Sequence, residues 1–241
     1  MLSVDNVSVK RGKTMVLANI SLSVEAGKTL AVVGESGAGK STLIGAILGL
    51  LTPSQGSVTW AGAPVCACRP ALVMQEPRAA FNPALSLRRS VLEPVFARKA
   101  KVPAERMARL CKGLELPPDL LDRKPSEVSI GQAQRVGILR AMIFASPLIL
   151  FDEPLSALDA VTQKHTAKLL SDLQREEEFT SVIVTHDLGY ACAHSDTIAV
   201  LRAGRIEETG NSSAFVAAPR TEYGCKLRDA AMSLGGLELA Q

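Results

Sequence analysis

Aromatic side chains make up only 4% of the 241 residues, which leaves little from which to build the stacking surfaces that hold single-stranded nucleic acid. Nor is there a basic block. The 27 Lys and Arg face 24 Asp and Glu, and the formal net charge of +3 is scattered along the chain, so no nucleic-acid partner is expected. No window holds the roughly 18 uninterrupted apolar residues of a membrane-spanning helix. The richest stretch, Val136 to Phe151, is broken by Arg140 and Pro147, and the chain is not expected to cross a bilayer by itself. Its first residues, Met1 to Asp5, lack the basic region and apolar segment of a secretory signal, so a cytoplasmic location is the expectation. The five cysteines (Cys66, Cys68, Cys111, Cys192, Cys225) are odd in number and dispersed, which speaks against a disulfide framework. A metal on Cys66 and Cys68 would need further ligands nearby, and the sequence offers none, so unpaired thiols are expected there. There is no internal repeat.

What is present is enough apolar material, 47% of residues, for one large core. From Leu2 to Leu50 the pattern reads strand, turn, strand (Ile20 to Val24), turn, strand (Thr29 to Val33), glycine-rich loop, helix, the order of an α/β sheet. Further strands are expected at Ser57 to Trp60, Leu72 to Met74, Leu148 to Phe151, Val182 to Thr185 and Thr197 to Leu201. Several of these are continuous apolar runs, as suits strands buried on both faces. Between Asn82 and Ser129 the periodicity turns helical and is punctuated by Pro83, Pro94, Pro103, Pro117, Pro118 and Pro125, which predicts an inserted helical lobe. The tail after Gly210 reads as helical over Tyr223 to Met232, and its last residues are expected to be mobile.

Gly34-Glu35-Ser36-Gly37-Ala38-Gly39-Lys40-Ser41, followed by Thr42, fits the pattern G-x-x-x-x-G-K-[ST]. It falls after an apolar strand and before a helix, where the mechanism needs it. Glycines let the backbone wrap so that successive N–H groups face phosphate oxygens, and the positive end of the following helix adds a fixed dipole. Lys40 is expected to reach the β- and γ-phosphates of ATP, and Ser41 to give its hydroxyl to Mg²⁺.

Downstream, Leu148 to Phe151 lead into Asp152-Glu153-Pro154, two carboxylates at the end of a buried strand, where open α/β sheets place ligands. Asp152 is the natural Mg²⁺ partner, through water, because that ion sheds its hydration reluctantly. Glu153 is then left to orient and deprotonate an attacking water. The phosphate loop alone does not separate a kinase, a GTPase and a transport ATPase.

Further motifs do. Ser129-Ile130-Gly131-Gln132-Ala133-Gln134-Arg135 resembles the signature segment of the ABC ATPases, Ser156-Ala157-Leu158-Asp159 their D-loop, Thr185-His186-Asp187 their switch histidine, and Gln75 their Q-loop glutamine. In order and spacing the resemblance covers essentially the whole chain. It implies an α/β P-loop NTPase fold with an antiparallel β edge and an inserted helical subdomain. The core would be residues 1–81 and 133–210, the helical subdomain with the signature 82–132, and the tail 211–241. It also implies Glu153, His186 and Gln75 as catalytic residues, Ser41, Gln75 and Asp152 around Mg²⁺, and Ser129, Gly131 and Gln132 acting on the ATP of a partner subunit. Gln75 to Pro83 with Glu93-Pro94 is similar to the importers of oligopeptides, nickel and metal chelates. Pro219, Tyr223 and Leu227 resemble part of the segment that ends those subunits, although Arg220 to Glu222 departs from it. The implied partners are a second ATPase subunit, integral-membrane permease subunits and, through them, a substrate-binding protein, with the chain peripheral on the cytoplasmic face of the inner membrane. An ATPase subunit of a soluble complex, like those of phosphonate breakdown, shares these motifs and remains the alternative.

Two departures matter. The family's signature usually reads Leu-Ser-Gly-Gly-Gln, whereas Val128-Ser129-Ile130-Gly131-Gln132 puts a β-branched residue where the first glycine belongs. Ile130 is expected to crowd the approach to the partner's γ-phosphate, which favours a hetero-dimer with one good and one weaker ATP site. Where the family places an aromatic ring against adenine stands Arg11. Either its planar guanidinium stacks on the base or it is a solvated residue beside Gly12.

Overall fold

The computed structural model describes residues 1–97, 99–102 and 104–233. Along the chain the elements are β1 (Leu2–Arg11), β2 (Thr14–Val24), β3 (Thr29–Val33), α1 (Lys40–Ile47), β4 (Gln55–Trp60), β5 (Ala63–Pro64), β6 (Ala71–Val73), α2 (Leu87–Ala97), α3 (Ala104–Gly113), α4 (Ile130–Met142), β7 (Leu148–Asp152), α5 (Ala160–Glu177), β8 (Thr180–Thr185), α6 (Leu188–His194), β9 (Thr197–Arg202), β10 (Arg205–Asn211), α7 (Ser212–Ala217) and α8 (Glu222–Ser233). They form two compact units, one of Met1–Pro70 with the chain from Thr180 onward, the other of Ala71–Phe179.

In the first unit β3 lies between β8 and β9, parallel to both, and β10 closes the edge antiparallel to β9. Every residue of β3 and of β8 is buried, which is why each reads as an unbroken run without alternation. A separate antiparallel sheet in the order β2, β1, β4, β5 belongs to the same unit. In β2, buried Ile20, Leu22 and Val24 alternate with exposed Ser21 and Ser23, the pattern of a strand with one wet face. The strand starts at Thr14, six residues before the expected Ile20, because the stretch Met15 to Asn19 pairs with β1 despite its weak alternation.

The helix after the glycine-rich loop stops at Ile47, short of the expected Leu50. Gly49 turns left-handed (φ 73°), and the amides of Leu50 and Leu51 close back on the Gly45 carbonyl, a glycine-terminated end. β10 was not expected. Its sequence is polar, with half-buried and exposed residues in alternation, and a two-residue turn at Ala203 (φ 45°) and Gly204 (φ 75°) gives the twist that a tight hairpin needs.

In the second unit β6 and β7 pair in parallel, with Val73 opposite Phe151. Helix α4 supplies much of the core through Ala133, Val136, Ile138, Leu139 and Met142, all nearly inaccessible. Both of its ends are tied down. Ser129 and Gln132 form a reciprocal capping box at its start, and Arg106 from α3 donates to the Met142 and Ile143 carbonyls (2.7 and 3.2 Å) at its end. The half-buried Arg106 also meets Glu177 at 2.8 Å. Pro94, expected as punctuation, sits inside α2. Pro103 and the tail residues expected to be mobile lie outside the described residues. Among the described residues no helix is long and apolar enough to cross a membrane.

Candidate nucleotide site residues

The loop between β3 and α1 is shaped by contacts on its outer side. A Cβ on Gly34 would lie 2.1 Å from the Leu201 carbonyl oxygen, and one on Gly39, already at φ 110°, would lie 2.7 Å from the Leu17 side chain. Only glycine fits either position. The Ala38 carbonyl accepts from the Gly204 amide at 2.9 Å, so the end of β9 meets the loop at Gly34 and the turn after it holds the loop at Ala38. Glu35, Ser36 and Gly37 between these points are exposed.

Helix α1 opens the free side. It starts at Lys40 with no side-chain cap and no acidic residue in its first turn, so its leading N–H groups and positive dipole end are presented to an anion. Lys40 Nζ rests on the loop itself, donating to the carbonyls of Gly34 (2.7 Å) and Glu35 (3.0 Å). These acceptors are neutral, and an incoming phosphate competes with them favourably because a hydrogen bond between ionised partners is about twice as strong. The geometry fits a polyphosphate.

Strand pairing brings His186 to the same end of the sheet. Val33 pairs with Thr185 across parallel strands, so Gly34 and His186 leave β3 and β8 side by side. The next residue, Asp187, caps α6 by accepting from the Tyr190 amide at 2.9 Å, which sets the direction in which the chain carries exposed His186.

The second unit gathers the other predicted residues in the same manner. With Val73 opposite Phe151, Gln75 comes just after the end of β6, while Asp152 ends β7 and Glu153 follows it. Glu153 is 9% exposed and adopts φ 48°, a conformation that side chains rarely take outside sites that over-determine it. Its carbonyl accepts from the Ser156 amide (3.3 Å) and hydroxyl (3.1 Å), which makes Ser156 the lock of that turn. Asp159 caps α5, accepting from the amides of Val161 (3.2 Å) and Thr162 (3.1 Å) and from the Thr162 hydroxyl (2.7 Å). The Thr162 hydroxyl, followed by these amides, holds its carboxyl below the usual range.

The signature segment meets the D-loop. A Cβ on Gly131 would lie 2.8 Å from Thr162 Cγ2 and 3.8 Å from Leu158, so a glycine is needed where the start of α4 passes the start of α5. Ser129 Oγ accepts from the Gln132 amide (3.1 Å) and Gln132 Oε1 from the Ser129 amide (2.9 Å). Ile130 is 42% exposed, its side chain in the open. Arg11 is the exposed last residue of β1, opposite Thr14.

Two arginines missed in the sequence complete this unit. Arg78 donates to the Val128 carbonyl. Arg140 of α4 donates to the Ala80 carbonyl at 2.5 Å and lies over the Phe81 ring at 4.8 Å. The interruption of an apolar run by Arg140 was visible, but its partner was not.

A phosphate-wrapping loop between a buried parallel strand and an uncapped helix defines this as a P-loop nucleotide-binding protein of the α/β class. Residues 17–156 match the ABC transporter family, and the chain belongs to that family. It is 36% identical over 205 residues to the oligopeptide transport ATP-binding protein OppF of Escherichia coli K12, covering 79% of this chain and 61% of that one. To the probable D,D-dipeptide transport ATP-binding protein DdpF of the same organism it is 36% identical over 207 residues, 85% of this chain and 66% of that one. The chain thus spans somewhat less than two thirds of the length of both relatives. Among solved structures, the dimeric ATP-binding cassette MJ0796 bound to ADP and Pi superposes with a TM-score of 0.77 at 30% identity, over 88% of this chain and 99% of that one. The cbiO1 subunit of the cbiONQ transporter complex from Clostridium perfringens gives 0.80 at 25% identity, over 97% and 95%. The fold is that of an ABC ATPase cassette.

Proposed function

We propose that this chain is the ATP-binding and ATP-hydrolysing subunit of an ABC importer whose cargo is a peptide. The observation that carries the nucleotide reading is the loop from Gly34 to Lys40, whose outer side is clamped by the end of β9 and the turn after it while the start of α1 has no side-chain cap. The names of the two Escherichia coli relatives support the cargo. Import of nickel or a metal chelate is the finer alternative within the same group.

In this reading the amides of Gly34 to Ser41, with Glu35, Ser36 and Thr42 alongside, bind the phosphates, and Lys40 neutralises the β- and γ-oxygens. Ser41, Asp152 and Gln75 form a set of hard oxygen donors of the kind Mg²⁺ prefers, and are the residues that would hold it. When bound, that ion supplies neutralisation of phosphate charge. Glu153 orients water and accepts its proton, and His186 donates towards the terminal phosphate. Ser129, Gly131 and Gln132 serve the ATP of a second ATPase subunit, and the exposed Ile130 favours that subunit being a different chain. Ser156 and Asp159 hold the turn beside them. Residues 82–132 are the helical lobe that faces permease subunits, which receive cargo from a binding protein, and the chain sits peripherally on the cytoplasmic face of the inner membrane.

Calorimetric titration with ATP in the presence of magnesium should show saturable binding that Lys40→Ala abolishes. Binding that survives this substitution, or does not depend on magnesium, overturns the reading. Co-purification with membrane permeases tests the transport assignment separately.

A further inference from the structure

Arg78 and Arg140 lie between two motifs of the proposed function, Gln75 and the segment from Ser129 to Gln132, without belonging to either. All of these residues are in the second unit. Gln75 leads into a tight turn in which the Ala80 amide donates to the Glu76 carbonyl and the Phe81 amide to the Arg78 carbonyl, each at 3.2 Å. Pro77 and Phe81 of this turn are buried, so Gln75 is attached to a folded body and not to a loose loop.

That body is fastened to α4 at both ends of the helix. Arg78 donates to the carbonyl of buried Val128, the residue ahead of the helix cap Ser129. Arg140, in the last turn of α4, donates to the Ala80 carbonyl at 2.5 Å with its guanidinium 4.8 Å from the centre of the Phe81 ring. Arg140 follows Ser129 by about 16 Å along the axis, at the ordinary rise of a helix. A single attachment would let the helix pivot, whereas two so far apart fix its direction as well as its place. The chemistry suits arginine, which can lay its face on a ring and donate from its edge in one pose, as an ammonium cannot. Little play remains at the start of α4, because a Cβ on Gly131 would already lie 2.8 Å from Thr162 Cγ2 of α5.

We propose that Arg78 and Arg140 are positioning residues: they hold Ser129 and Gly131, which act on the ATP of the second subunit, at a fixed place relative to Gln75, which acts on this chain's own. This deepens the ATP reading above and rests on it. The phosphate loop belongs to the other unit, so the two arginines set the rate of hydrolysis in the assembled pair and not the affinity of this chain for its own nucleotide.

The test uses the assembled transporter with Arg78→Met, which keeps the stem and removes the donor, with Arg78→Lys, which returns one donor, and with Arg140→Lys, which keeps the charge but not the combined face and edge contact. Arg78 is exposed, so Arg78→Met should melt within about 2 °C of the parent. The isolated chain should bind Mg-ATP with unchanged affinity in all three variants. Steady hydrolysis should fall about tenfold at unchanged KM in Arg78→Met and in Arg140→Lys, a part of the roughly hundredfold that a 1 Å misplacement costs, and Arg78→Lys should recover most of it. Introduced into Ser129→Ala, Arg78→Met should cost less than about twofold more, because the group it positions has gone. Unchanged hydrolysis in Arg78→Met and Arg140→Lys, equal losses in Arg78→Met and Arg78→Lys, a full further loss in the Ser129→Ala background, or a weaker grip of the isolated chain on Mg-ATP would each overturn the proposal. A parent chain without affinity for Mg-ATP is a separate failure, one that removes the nucleotide reading itself.

Discussion

Consider Gly34→Ala. The added methyl carbon would sit 2.1 Å from the Leu201 carbonyl oxygen, against a closest ordinary carbon–oxygen approach of about 3.3 Å. The structure must therefore give by about 1.2 Å. Strand β9 cannot supply that movement, since Ile198, Ala199, Val200 and Leu201 are completely buried and the strand is paired on both sides, with β3 and β10. The loop must move instead. Forcing a methyl into such packing costs about 2 kcal/mol, or roughly 4–8 °C in melting temperature for a protein of this size. Displacing phosphate-binding amides by about 1 Å costs about a hundredfold in affinity for Mg-ATP, the usual scale for misplacement at a site. Gly49→Ala is the control. That position is also left-handed (φ 73°) but has open space around it and lies outside the loop, so it should lose about 1 kcal/mol of stability and keep its nucleotide affinity. Differential scanning calorimetry and nucleotide titration on both variants give the comparison. A Gly34→Ala protein that melts with the parent and binds Mg-ATP as tightly would refute the clamped-loop argument.

Glu153→Gln should keep nucleotide binding and lose hydrolysis by about a hundredfold or more, as expected when a base for water is removed; single-turnover phosphate release separates the two. Ile130→Gly, measured in the assembled transporter, should raise steady hydrolysis by uncovering the start of α4, while glycine in that first turn costs about 1 kcal/mol of helix stability; an unaltered rate counts against the crowding argument. Glu208 is pulled upward by burial, but the Thr221 hydroxyl and the Arg220 and Thr221 amides outweigh that and hold it below the ordinary carboxylate range. A folded value below the unfolded one means its contribution is complete above the unfolded pKa and is lost as pH falls through the folded one. Hydrogen exchange of residues 220–225 should therefore accelerate in acid below about pH 4, and Glu208→Gln should show the same loosening at neutral pH.

Much of the first unit was legible because backbone demand and side-chain pattern coincide there. β3 matches its expected bounds, Thr29 to Val33, since a strand buried on both faces has no choice but an apolar run, and the loop after it needs glycine where Gly34 and Gly39 stand. β10 was not legible. Its seven residues, Arg205 to Asn211, are mostly polar, and what makes them a strand is pairing to β9 through a left-handed turn at Ala203, a residue with no intrinsic preference for it. Tyr223 was legible as part of a tail motif, but not as a core residue of β3, because nothing local to α8 records which strand it meets.

The same limit explains Arg78 and Arg140. An arginine in an apolar helix predicts a partner for its charge, but only the folded chain shows that the partners are backbone carbonyls and a ring. Burial lowers the pKa of Arg140, yet an arginine stays charged at any physiological pH, so its position is held by the Ala80 carbonyl and the Phe81 face. Arg78 reaches the other way, to the Val128 carbonyl just ahead of Ser129. The segment that follows Gln75 is thus fastened to both ends of the stretch from Val128 to Arg140. Within the second unit, a displacement of the Gln75 segment therefore cannot leave Ser129 and Gly131 where they were. Two guanidinium groups thus tie the segment after Gln75 to the stretch that carries Ser129 and Gly131.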